Sequence, residues 1–140
     1  MKEQWIQWKP IKNLSNRYYI ESISDNYKEF KIIFCNEKNI EEKLSMIFQG
    51  SIGSYKWTDE TFRLKTLSYL DEHYSENFYS EWTFFKITHS SYLKMLSEES
   101  CGISDSRAFI HFSFIEHNAI FDVITSSEPI IEILLKEKHD

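Results

Sequence analysis

Between Ala108 and Thr125 the chain alternates regularly enough to set its own register. Ala108 to Ile115 and Ala119 to Thr125 flank Glu116-His117-Asn118, and a two-residue turn at His117-Asn118 places Ser113 opposite Asp122 and Phe114 opposite Phe121. Successive side chains of a strand point to opposite faces, so Ile110, Phe112, Phe114, Phe121 and Val123 share a face apolar enough to be core. The other face sets His111, Ser113 and Asp122 among Phe109, Ile115, Ile120 and Ile124. Such a half-polar surface is solvated, covered by the first helix or docked by a partner.

The rest of the chain supplies elements of the same kind. Trp5 to Pro10 reads as a short strand that Pro10 confines to a sheet edge or a cover. Tyr18 to Ile23 and Tyr27 to Cys35 flank Ser24-Asp25-Asn26 as a hairpin, with Phe30, Ile32 and Phe34 facing inward, and Leu44, Met46 and Phe48 mark a third strand of the meander. Gly50 to Gly53 permits a bend before a short continuation from Tyr55 to Trp57. Thr58 has the chemistry of an N-cap, with Asp59 and Glu60 in the first turn of a helix running to about Tyr74. Trp82 to Ile87 then forms a strand, and Thr88-His89-Ser90 interrupts it before Tyr92, Leu93 and Leu96 recur at helical spacing up to Gly102. Ile130 to Leu135 makes a final strand. The expected architecture is α+β: one globular domain over 1–140, built as a single antiparallel sheet of about six or seven strands with two helices packed on one face.

At 140 residues, with 11 Phe, 8 Tyr and 4 Trp, the chain carries enough apolar surface for one self-sufficient core. A net charge of −6 argues against a nucleic-acid backbone or an anionic membrane as partner and suits a basic protein surface. No segment approaches the ~20 apolar residues of a membrane span, and the N-terminus lacks a signal-peptide core, so a cytoplasmic location is expected. Cys35 and Cys101 match no metal or disulfide spacing and are expected as free thiols.

The chemistry-bearing residues form no catalytic signature. His73, His89, His111, His117 and His139 show no zinc-ligand spacing, and glycine-rich phosphate loops are absent, so no metal or other cofactor is expected. Ser113, His111 and Asp122 share a face, but Ser113 lies mid-strand, far from the strand-to-helix elbow that usually presents a nucleophile. Acidic pairs Asp59-Glu60, Asp71-Glu72 and Glu98-Glu99 mark helix ends. Together with Tyr55, Trp57, Tyr79 and Glu76, the first two pairs outline an acidic and aromatic surface suited to a cationic protein.

Four stretches, WIQWKPIKNLS, YKWTDETFRLKTLSYL, WTFFKITHSSYLKMLSEESCGIS and FIHFSFIEHNAIFDVITSSEP, resemble a family of small cytosolic proteins of Bacillus-type bacteria. Those proteins are encoded beside polymorphic toxins, notably the wall-associated Rhs-type contact-dependent toxin. The likeness runs over nearly the whole chain and lies in the order and aromatic texture of its segments. It implies a non-catalytic immunity protein that occludes a toxin domain by stoichiometric binding, and it transfers no site residues. The residues therefore frame three readings: toxin neutralisation through Tyr55, Trp57, Asp59, Glu60, Asp71, Glu72 and Glu76; a ligand-binding or enzymatic site at His111, Ser113 and Asp122; or a self-associating structural protein pairing through an edge strand.

Overall fold

The computed structural model describes residues 2–135 and resolves the strands into two sheets. The five-stranded sheet takes β1 (Gln4–Gln7), β6 (Phe84–Thr88), β7 (Ile110–Ile115), β8 (Ala119–Thr125) and β5 (Ile52–Asp59), in that spatial order. The four-stranded sheet takes β2 (Tyr18–Asp25), β3 (Phe30–Asn36), β4 (Glu42–Phe48) and β9 (Ile130–Leu135). Every pairing is antiparallel. Two helices complete the fold, α1 (Leu64–His73) and α2 (Ser91–Glu99), and no helix among the described residues is long and apolar enough to cross a membrane.

The expected single sheet is therefore corrected to two. Alternation reports that one face of each strand is buried, and it cannot say which strands share a sheet. The meander β2-β3-β4 forms as read, with Phe30, Ile32, Phe34, Leu44, Met46 and Phe48 buried. After β4 the chain leaves that sheet at Gly50, which lies so close to Ser126 and Ser127 that an added Cβ would sit 2.3 Å from the Ser127 Oγ. A side chain there would force the Ser126 and Ser127 hydroxyls aside, a cost that glycine avoids as the chain crosses to let β5 join β8 in the other sheet.

The sheets pack face to face through aromatic rings. Phe34 lies 5.2 Å from both Phe84 and Phe114 in edge-on geometry, Phe48 lies 6.0 Å from Phe112, and Phe30 stacks at 6.3 Å on Phe121. Rings packed this way gain about 0.5–1.5 kcal/mol per pair beyond their buried area. The β7–β8 register is the expected one, with Phe114 opposite Phe121 and Ser113 opposite Asp122. Its half-polar face turns away from the sandwich and lies under both helices: Arg63, just before α1, reaches Asp122, and Tyr92 of α2 packs edge-on against His111.

The first helix starts later than Thr58. Thr58 and Asp59 remain in β5, paired with Ile120 and Ala119, so ladder hydrogen bonds override the capping signal. Asp59 instead caps a 3-10 turn, Glu60–Phe62, by accepting the Thr61 amide at 2.9 Å, and α1 begins at Leu64 after Arg63, which supplies no side-chain cap.

Candidate functional site

Two regions concentrate polar chemistry. The first is buried beneath the helices. His111 and Asp122 project from adjacent strands of the hairpin, and His111 Nε2 lies 2.7 Å from Asp122 Oδ1. Arg63 Nη1 donates to the other carboxylate oxygen at 2.8 Å. On the far side of the imidazole, the Ser90 hydroxyl lies 2.7 Å from Nδ1, while its oxygen caps α2 by accepting the Leu93 amide at 3.0 Å. A neutral imidazole with its hydrogen on Nε2 satisfies every partner: Nε2–H donates to Asp122 and the Ser90 hydroxyl donates to Nδ1. Burial would push the Asp122 pKa up, but His111 and Arg63 outweigh it and hold the carboxyl below its usual range.

The order Ser90, His111, Asp122, Arg63 is that of a proton relay, yet its contacts are those of a clamp. Ser90 is 7% exposed and its oxygen is engaged as the helix cap. The adjacent Ser91 amide and hydroxyl, where an oxyanion would need donors, both donate to the Glu3 carboxylate at 2.8 and 2.7 Å. The network ties the start of each helix to the middle of the sheet. Ser113 does not join it: its Oγ is buried without a hydrogen-bond partner among the described residues, and Ser90 occupies the position beside His111 that the sequence reading gave to Ser113. Ser90 carried one sequence signal, a serine between a strand and a helical repeat, where N-caps stand. Arg63 carried none.

The second region is a cleft of about 270 Å³ beside the β7–β8 turn. Glu37, Glu60 and Glu116 line it with Arg17, Tyr79 and Leu67. Arg17 holds the region together, its Nη1 donating to the carbonyls of Tyr79, Trp82 and Ile115 at 2.7, 3.2 and 3.0 Å while its Nε stands 3.8 Å from Glu37. Burial raises the Glu116 pKa, against the pull of the Ile20 amide, Trp57 and Arg17.

Several of the residues expected at a partner surface converge here. Glu60 and Tyr79 line the cleft, Trp57 stands 53% exposed on β5 near enough to Glu116 to favour its charge, and Asp71 accepts the Tyr79 hydroxyl at 3.2 Å. Tyr55 lies farther along β5, its hydroxyl donating to Asp25 at 3.0 Å. Asp59 is committed to its cap, and Glu72 and Glu76 are exposed on α1 and the loop after it. Glu37, Glu116 and Arg17 were missed because each stands next to a turn or strand end, where a charged residue is ordinary. Cys35 is buried and Cys101 exposed, both free.

No family model matches the chain, and neither the curated proteins nor the solved structures give a match to it.

Proposed function

We propose that this protein acts in the cytoplasm as a non-catalytic immunity protein, binding a basic toxin domain one to one and occluding it through the cleft and the exposed strand beside it. The observation that carries the reading is the convergence of Trp57 with Glu37, Glu60 and Glu116 on one rim of an acidic chain. Exposed aromatic rings supply the buried contacts that dominate binding energy, and surrounding carboxylates steer a cationic partner at a salt-sensitive rate. Asp71 and Tyr55 extend the same surface on either side.

The test is capture of the tagged protein's partner from its host at low and moderate salt, with the partner identified by mass, followed by stopped-flow association of the purified pair. A one-to-one complex with a toxin domain is expected. Glu60→Lys slows association by about tenfold at low salt, and Trp57→Ala speeds dissociation by more than about tenfold, since truncated anchors cost ~2 kcal/mol or more. Asp59 is unsuitable for charge reversal because its carboxylate caps the turn beside Glu60. Association and dissociation unchanged in both variants would remove this rim from the interface.

The His111 face favours no ligand reading, because Tyr92, Arg63 and Ser90 fill the space over His111 and Asp122.

A further inference from the structure

Four strands end the two sheets, β1 and β5 in one and β2 and β9 in the other. A free edge presents unpaired amides and carbonyls in strand geometry, and proteins blunt such edges by shortness, bulges, proline or charge. Three of these edges are blunted. β1 has four residues, with Pro10 shortly after it. β2 is bulged between Ile20 and Ser22, carries Glu21 and Asp25, and gives its Ile20 amide to Glu116. β5 is bulged between Ile52 and Ser54 and carries Lys56 and Asp59.

β9 is the least protected of the four: Pro129 stands just before it and Glu132 is its one charge, but it is longer than β1 and has no bulge. Ile130 to Leu135 pairs residue for residue with β4 without a register shift, and in IIEILL the lone charge is Glu132. Ile130, Ile133 and Leu134 are 46%, 38% and 41% exposed, so the strand shows water an apolar edge.

We propose that β9 pairs antiparallel with β9 of a second copy across a two-fold axis, joining two four-stranded sheets into one of eight strands. Glu132 selects the register. Two-fold pairing keeps inner faces together, so the axis must pass through a residue and not between two. An axis on Glu132 would set like charges opposite each other. An axis on Ile133 sets Ile133 against its own copy, Ile131 against Leu135 and Glu132 against Leu134. Lys43, which pairs with Leu134 on β4, then shares a sheet face with Glu132 of the second copy.

Local charge favours a copy over a basic partner strand. Around β9 the exposed face carries two ion pairs, Lys31 with Glu29 and Lys43 with Glu21, beside the single charge of Glu132, whereas the carboxylates at Glu37, Glu60 and Glu116 gather on the β2 side of the sandwich. Both surfaces can therefore be occupied at once. One strand pair buries less than a standard interface of about 1,600 Å², the size class of weak, reversible contacts.

Sedimentation equilibrium of the isolated protein between about 1 and 300 µM, a range set by that interface size, tests the dimer without any toxin. The mass should rise from 16.9 kDa toward twice that value, and Ile133→Lys should hold it at the monomer with an unchanged circular dichroism spectrum. Cysteine oxidation checks the register independently of folding losses. In a Cys101→Ser background, Ile133→Cys should form a covalent dimer and Leu134→Cys should not, because only residue 133 meets itself. A monomer across the whole range, a dimer indifferent to Ile133→Lys, or equal cross-linking at 133 and 134 would each overturn the proposal.

Discussion

The two faces of the β7–β8 hairpin are built from the same strands and held by opposite strategies. Toward the other sheet, Phe114 sits within 5.2 to 6.5 Å of Phe34, Phe84, Phe112 and Phe121, so each ring has several neighbours of the same kind. Toward the helices, Asp122 has two partners, His111 and Arg63, and each depends on it. The aromatic face is redundant and tolerates change. The polar face is a chain of single bonds, in which one removal strands the rest in a low dielectric.

The sharpest way to break this contrast is Asp122→Ala. It leaves Arg63 without its counter-ion and His111 without an acceptor, and a cost of about 3–5 kcal/mol in urea unfolding is expected. The same residue sets an acid limb. Its folded pKa lies below the unfolded value, so its contribution is complete above the unfolded pKa and is lost as pH falls through the folded one. Stability of the native chain should therefore decline across the acid range more steeply than that of Asp122→Asn, as read from urea midpoints at successive pH values. On the aromatic face, Phe114→Leu keeps most of the volume and should cost about 1–2 kcal/mol, leaving that acid limb unchanged. An equal loss for Phe114→Leu and Asp122→Ala would erase the distinction.

The smallest effect is expected at the cleft, where the sign reverses. Glu116 has a raised pKa because burial disfavours its charge, so the native state loses stability relative to the unfolded chain as pH rises from the unfolded toward the folded value. Glu116→Gln retains an acceptor for the Ile20 amide and removes that charge, and a slight rise in Tm at neutral pH is the expected result. A fall in Tm would show that attraction to Arg17 dominates.

Which parts of this were legible in the sequence follows from how local each signal is. The β7–β8 register, the β2-β3-β4 meander and the inward residues of β3, β7 and β8 depend on alternation and turn chemistry within about twenty residues, and they were readable. The division into two sheets depends on pairings such as Gln4 with Thr88 and Ile47 with Ile130, which no local pattern encodes. The helix start was misplaced for a related reason: the Thr58-Asp59-Glu60 cap signal competes with the distant strand β8, and the strand wins. At the candidate sites, Trp57 and Glu60 stood out as an aromatic and an acid on the surface. Ser90 beside His111 required knowing that α2 folds back over β7.

The two-sheet pairing scheme also has a consequence in time. Sheet membership alternates along the chain, so β1 waits for β6, β4 for β9 and β5 for β8. Neither sheet can close early, and contacts this distant in sequence slow folding toward the millisecond-to-second range of all-β domains. While the chain emerges from the ribosome, β4 keeps a bare apolar edge until β9 arrives. The most vulnerable moment of this protein is therefore its synthesis, when an identical nascent neighbour could supply the missing strand first.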